Sequence, residues 1–283
     1  MDVSIIIINY NTCYLTSECI ESVIKYTGNI LYEIIVVDNA STDCSKDILS
    51  KDNRITYIYN KKNLGFGKAN NVGIKLAKGR NVLFLNSDTI IINNSIKILS
   101  DYLDKNKGVG VVGGNLYSKG MVPIHSFSRI EPSIFFELND FLCRIPGKLF
   151  FRKNYEHNFT LHPLSVTHIT GADLMVKKML LEKVGPFDER FFMYYEETEL
   201  CKRIRNAGYK IMSIPEARII HLEGGSYSQE QRISRYRQTR ESLFLYHKIT
   251  HGTLYTNLIR MLELLIIQSR IFYYSINKNI SMR

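Results

Sequence analysis

The chain has 283 residues, 45% hydrophobic and 23% charged, with a formal charge of +10 from 37 Lys and Arg against 27 Asp and Glu. Those fractions are ordinary for a globular protein and set aside a disordered or fibrous chain, and the length allows one sizeable core with an appendage or two small domains. The positive excess suits a polyanion, an anionic membrane surface or a phosphorylated substrate without choosing among them.

Cys13, Cys19, Cys44, Cys143 and Cys201 are odd in number and scattered, with no Cys-x-x-Cys pair to suggest zinc or a redox centre. A reducing compartment is the simplest inference. The apolar run Val3 to Ile8 has no basic segment before it and no small-residue cleavage site after it, so it is read as a first strand and not a signal peptide. The sequons at Asn39, Asn93 and Asn158 then carry little meaning.

Val3 to Ile8 is short, apolar and β-branched, followed by the turn and cap residues Asn9 to Thr12. The spacing of Leu15, Cys19, Ile20 and Val23 predicts a helix. A second strand, Tyr32 to Val37, ends in the polar cluster Asp38-Asn39-Ala40-Ser41-Thr42-Asp43, where Asp43 is read as the cap of the next helix. Ile55 to Tyr59 is a third strand. The loop Asn63-Leu64-Gly65-Phe66-Gly67 opens a helix that stops at Gly79. Its glycine pair is not a dinucleotide fingerprint, because a third glycine is missing and the loop follows the third strand, not the first. No Walker-type loop is present.

The fourth strand, Val82 to Asn86, is almost wholly apolar and ends abruptly in Asn86-Ser87-Asp88. Ligands of open α/β sheets sit outside the carboxyl ends of the strands, so Asp88 is either a ligand-facing carboxylate or the cap of a helix beginning near Thr89. Strands alternating with helices predict a mostly parallel sheet flanked by helices.

A short strand follows within Lys107 to Gly114. From Asn115 to His168 the pattern loosens into aromatics interleaved with cations, which fits stacking on single-stranded nucleic acid, a face for sugar or lipid, or the cores of small helices. Regularity returns at Ser165 to Val176, then a short helix and the turn Gly185-Pro186-Phe187-Asp188. From Glu196 a helix is expected, with an acidic first turn, Leu200 and Ile204 four apart, and Gly208 as its stop. Glu199 and Arg203 are read as an i,i+4 ion pair. Tyr209 to Ile214 reads as an edge strand ended by Pro215, with His221 on the next apolar run. The tail from Gln231 to Arg283 is helical in period. Its apolar part, Leu258 to Tyr274, is interrupted by Arg260, Glu263 and Arg270 and is too charged to span a bilayer comfortably. It is either an interfacial amphipathic helix or one that packs on its own domain or another subunit.

Val3 to Asn11, Val36 to Asp43, Asn63 to Gly73, Phe84 to Asp88 and Phe187 to Phe192 stand in that order, with the acidic cluster and His221 after them. Together they resemble a GT-A glycosyltransferase of family 2, in its bacterial rhamnosyltransferase-like branch, from about Val3 to Ser226. The resemblance implies a catalytic domain over residues 1–226 and a helical extension over 227–283, which would associate with a membrane or a subunit. It implies inverting transfer of a sugar from a dTDP- or UDP-sugar to a glycan or polyprenyl-diphosphate-linked hydroxyl, assisted by Mg²⁺ or Mn²⁺. Tyr10 and Asp38 resemble the nucleobase contacts, with Asn39, Asn70 and Ser87 also assigned to the nucleotide. Asp88 resembles the metal-binding end of an Asp-x-Asp motif, and His221 a histidine that joins the metal. Glu197, or its neighbour Glu196, stands at the base position, where Glu-Asp is usual.

The resemblance further implies a cytoplasmic protein, peripheral on the inner face of the membrane and held there by Arg232 to Arg240 and the tail. A homo-oligomer is open and no nucleic-acid partner is expected. Because Asn86-Ser87-Asp88 keeps only the last acid of Asp-x-Asp, a catalytically weak nucleotide-binding or partner subunit is the alternative. Residue chemistry agrees with the enzyme reading, since a carboxylate at a strand end can accept a pyrimidine imide and an ionised glutamate can take a proton.

Overall fold

The computed structural model describes residues 1–142, 144–222 and 229–281. Cys143, the expected boundary at Ser226, and the side chains of Arg232 and Arg270 lie outside what is described. The first half winds as β1 (Val3–Asn9), α1 (Cys13–Tyr26), β2 (Tyr32–Asp38), α2 (Ser45–Leu49), β3 (Thr56–Tyr59), α3 (Phe66–Leu76) and β4 (Asn81–Asn86). These strands lie in the order β3-β2-β1-β4, all parallel. Asn9 pairs with Asp38 and Ile8 with Asn86, so the polar ends of three strands finish side by side.

After β4 come β5 (Thr89–Ile91), α4 (Ser95–Lys105) and β6 (Val109–Tyr117). The helix expected near Thr89 therefore begins six residues later, at Ser95. Thr89-Ile90-Ile91 is β-branched and finds a partner strand, which outweighs a helix start. Asp88 is thus no helix cap.

The stretch with no legible pattern contains β7 (Phe127–Ser128), α5 (Ile134–Phe141), α6 (Ile145–Phe151) and β8 (Leu164–Val166). It is followed by β9 (His168–Ile169), β10 (Asp173–Lys177), α7 (Lys178–Val184), α8 (Glu196–Asn206) and β11 (Lys210–His221). β10 runs antiparallel between β4 and β6, and β6 pairs in parallel with β11, so the sheet is mixed beyond its parallel first half.

β11 departs from expectation. It is not an edge strand ended by Pro215; it continues to His221 with β6 on one side and β8, then β5, on the other. A register shift between Ser213 and Arg218 places the proline in an irregularity, where its missing N–H removes no ladder bond. The consequence is positional: His221 pairs with Thr89, next to Asp88.

Alternation along β1 feeds two cores. Ile5 and Ile7 pack with α1 and α4 on one face, and Ile6 with α3, α7 and α8 on the other. The tail forms α9 (Gln229–His251) and α10 (Thr253–Ser281), and α9 packs on the domain, with Leu243, Tyr246 and His247 fully buried. Tyr246 OH donates to Glu131 at 3.0 Å, and Arg205 and Lys202 of α8 pair with the same carboxylate. Arg240 is engaged by Glu137 and Glu263, and Arg235 lies 5.8 Å over the Tyr194 ring. Of the stretch expected to be a basic membrane face, Arg240 is thus turned toward these two acids, while Arg235 and Arg237 are exposed. Among the described residues no helix is long and apolar enough to cross a membrane.

Candidate active site

At the end of β2, Asp38 is fully buried. Its Oδ1 accepts the Ser41 amide at 2.8 Å, and its Oδ2 accepts Tyr57 OH at 2.8 Å and Asn9 Nδ2 at 3.2 Å. Burial, then Asp38, raises the Tyr57 phenol, which keeps that proton in place. The carboxylate expected to meet a nucleobase is thus engaged within the protein and holds the turn from Asp38 to Ser41. Ser41 Oγ in turn accepts from Asn9 Nδ2 and the Asn11 amide. Tyr10, half exposed at 49%, stands on this rim with its ring open to a ligand. Asp43, expected to be the cap of the next helix, stands one residue before the N-cap Cys44 and accepts first amides of two helices: that of Ser45 in α2 and that of Cys13 in α1.

Asn39 staples the next loop to the sheet. Its Nδ2 donates to Asn63 Oδ1 at 2.8 Å, and its Oδ1 accepts Asn60 Nδ2 and the Leu64 amide. Gly65 follows at φ +81°, where a Cβ would lie 2.2 Å from the Phe192 carbonyl oxygen. That carbonyl accepts the Phe66 amide at 2.7 Å, so the glycine loop and the Phe191-Phe192 segment form one wall. On α3, Asn70 is fully buried; its Nδ2 donates to the Phe66 carbonyl, and its Oδ1 has no partner. Its neighbour Asn71, assigned nothing by the sequence, makes the longer bridge, accepting the Phe187 amide and donating to the Phe187 carbonyl.

Asp88 and His221 meet at the sheet's carboxyl edge, with Nε2 and Oδ1 3.2 Å apart and both side chains largely covered. Asn86 Nδ2 lies 3.4 Å from the same ring nitrogen. Ser87 Oγ accepts from Thr12 Oγ1 at 3.1 Å, tying this edge to the start of α1. One carboxylate oxygen beside one imidazole nitrogen suits a divalent cation that arrives with phosphate oxygens and completes its shell with them and with water. Among the described residues no group of three His, Cys, Asp or Glu could hold a metal unaided. Asp173, not singled out from sequence, is fully buried nearby on β10. Its Oδ2 accepts the Gly114 amide at 2.5 Å, Oδ1 has no partner, and burial pushes the carboxyl up to about 7. A buried carboxyl in an apolar strand, Asp173 before Leu174-Met175-Val176, was the available signal.

The acidic helix start is built under strain. Tyr194 and Tyr195 both have positive φ, 70° and 67°, which turns the chain sharply into α8. Glu196 is buried with Oε2 unpartnered, and burial, then the charge of Glu197, raises its carboxyl well above the usual range. Glu197 keeps partial exposure and is also raised, by burial first. Neither is the unperturbed glutamate assumed from sequence. Glu199 forms the expected pair with Arg203 at 2.7 Å, and the same guanidinium donates to the carbonyls of Val184, Gly185 and Pro186.

A parallel half-sheet β3-β2-β1-β4, continued by antiparallel β10 and then β6 and β11 and flanked by helices, is a mixed α/β sheet of the GT-A kind. The family model described as "Glycosyl transferase family 2" matches residues 4–185, and the chain belongs to that family. It is 30% identical over 224 residues to the low-salt glycan biosynthesis hexosyltransferase Agl10 of Haloferax volcanii, covering 78% of this chain and 67% of that protein. It is 30% identical over 194 residues to the dTDP-rhamnosyl transferase RfbF of Shigella flexneri, covering 68% of this chain and 60% of that one. The chain thus spans about two thirds of the length of these relatives. Among solved structures, GalNAc-T7 with UDP, GalNAc and Mn²⁺ superposes with a TM-score of 0.62 at 16% identity, over 88% of this chain and 48% of that one. That likeness establishes the shared fold.

Proposed function

We propose that this protein is an inverting glycosyltransferase that moves a sugar from a dTDP- or UDP-linked donor to a hydroxyl of a glycan or polyprenyl-diphosphate-linked acceptor. The observation that carries the reading is the Asp88–His221 pair, 3.2 Å apart at the edge where three parallel strands end. The likeness to RfbF, a dTDP-rhamnosyl transferase, supports dTDP-rhamnose as donor. The likeness to GalNAc-T7, whose structure holds UDP, GalNAc and Mn²⁺, supports a divalent cation.

Asp88 and His221 would hold Mg²⁺ or Mn²⁺, which when bound neutralises the charge that develops on the departing diphosphate. Tyr10 offers a stacking face for the nucleobase. Asp38 and Asn39 shape that pocket by fixing the turn to Ser41 and the loop to Gly65. Ser87 holds the edge against α1. Asn70 anchors the start of α3 through the Phe66 carbonyl. Glu197 takes the acceptor proton as the acceptor oxygen bonds to the anomeric carbon and the diphosphate leaves from the opposite face. Its raised proton affinity makes it a stronger base once ionised, and turnover then rises with pH through a pKa above the usual glutamate value. Glu196, buried beside it, is raised well above the usual range by burial and then by the charge of Glu197, so it holds a proton more readily than an ordinary glutamate.

The test is turnover of donor with acceptor in Glu197→Gln and Glu196→Gln. Glu197→Gln should lower kcat by roughly 10²–10⁴-fold with donor affinity unchanged, while Glu196→Gln keeps most activity. Wild-type turnover in Glu197→Gln would remove the base assignment. Donor binding with no turnover in the wild-type protein would make this a nucleotide-binding partner subunit instead.

A further inference from the structure

We infer that α6 and α10, joined through α5, form a docking surface for an anionic lipid membrane. This goes beyond the proposed transfer and does not depend on it. The sequence Lys148-Leu149-Phe150-Phe151-Arg152-Lys153 runs off the end of α6 with Leu149 and Phe150 standing 75% and 81% exposed. Lys148, Arg152 and Lys153 are exposed around them. No acid occurs between Phe141 and Asn154. An apolar wedge with a cationic collar matches the acyl boundary and the negative surface of such a membrane at the same depth.

α10 presents the second part. Thr256 and Ile259 are buried toward the protein, and Glu263 is tied to Arg240. The opposite face carries Leu254, Leu258, Met261 and Leu265 at spacings of four, three and four, all at least half exposed. The exposed side chains described on that helix include no acid. α5 links the two parts: it packs against both α6 and α10, the Ile134 amide donates to Tyr255 OH at 2.9 Å, and Leu138 and Leu142 continue the apolar exposure.

Scattered exposed leucines would mean nothing, but a regular apolar stripe on one helix and an apolar pair inside a cationic collar on another, both packed on α5, mark an interaction face. A second copy of the chain is the other candidate occupant. An isologous interface would bring together two copies of a face that carries Lys148, Arg152 and Lys153 with no acid among them, and the like net charge opposes association. An anionic surface meets the same collar with opposite charge.

The experiment is co-sedimentation of the full chain, without donor or acceptor, with phosphatidylcholine vesicles and with vesicles of equal parts phosphatidylcholine and phosphatidylglycerol. Binding to the anionic vesicles alone is expected, weakening as salt is raised. Replacing Lys148, Arg152 and Lys153 together by Glu should weaken it by roughly fivefold or more per residue. Leu149→Glu with Phe150→Glu, and separately Leu258→Glu with Leu265→Glu, should abolish it at unchanged melting temperature. The α6 pair keeps the test valid if the α10 pair fails to fold. Wild type left in the supernatant with anionic vesicles overturns the inference, as does binding that ignores lipid charge and the collar. A dimer by light scattering that Leu258→Glu dissociates would assign the face to a second copy. Because no substrate is present, a negative result leaves the transferase reading standing, and failed transfer leaves this surface standing.

Discussion

Asn71 of α3 and Phe187 of the turn after α7 are joined by two hydrogen bonds, the Phe187 amide to Oδ1 at 3.0 Å and Nδ2 to the Phe187 carbonyl at 2.9 Å. The side chain thus acts as a short piece of strand, satisfying both backbone groups of a buried phenylalanine that packs edge-on to Phe84 at 4.7 Å. Removing it leaves a buried N–H and C=O without partners. Asn71→Ala should cost about 2–3 kcal/mol. Asn71→Asp should also destabilise, since it keeps the acceptor and loses the donor. Urea unfolding of the three proteins checks this, and equal midpoints would contradict it.

Arg203 serves four groups at once, the Glu199 carboxylate and the carbonyls of Val184, Gly185 and Pro186. Glu199 is only 5% exposed. A single ammonium cannot reproduce that planar fork. Arg203→Lys should therefore be nearly as damaging as Arg203→Met, both costing on the order of 3 kcal/mol because Glu199 is left buried and incompletely paired. Full stability in the lysine variant would show that charge alone suffices.

His247 is fully buried among Tyr246, His251 and Tyr255, with neither ring nitrogen hydrogen-bonded. Burial, then the charges of His251 and Lys202, lowers its pKa from 6.5 to about 4. The unfolded chain binds this proton near pH 6.5 and the folded one only near 4, so the histidine removes stability as pH falls through that window. His247→Phe should stabilise at pH 7 by removing two unpaired polar atoms. Its advantage over wild type should widen by up to about 3 kcal/mol towards pH 4. Melting temperatures at several pH values decide it, and a constant gap would mean that His247 protonates normally.

The first half of the fold was legible because each parallel strand is a short β-branched run ended by polar residues, as at Val36-Val37-Asp38 and Leu85-Asn86-Ser87-Asp88. The acidic start and glycine stop of α8 read equally well. Thr89 to Ile91 was not legible as a strand, since three residues give no period and only the distant β11 makes them one. Pro215 misled for a related reason: a proline normally ends a ladder, and here a shift of register accommodates it. The proximity of Asp88 and His221 followed from no local pattern, because topology alone brings them together, and it entered through family resemblance. Asp38 was placed correctly at a strand end, yet Asn9 and Tyr57, which claim its oxygens, lie on two other strands. The interleaved aromatics and cations from Asn115 to His168 resolve into α5 and α6, whose outward apolar face obscures the helical period.

The most direct measurement is thermal stabilisation by dTDP, UDP, GDP and ADP, each with and without Mn²⁺, on wild type and on Asp88→Ala. A ligand at a hundred times its dissociation constant adds about 2.7 kcal/mol of stability, a readable shift in melting temperature. A metal held by Asp88 and the donor diphosphate predicts that dTDP or UDP stabilises the wild type only when Mn²⁺ is present, and that Asp88→Ala loses this response while melting near the wild-type temperature without ligand. A wild-type protein that no nucleotide stabilises, or an Asp88→Ala protein that responds as wild type does, would contradict it.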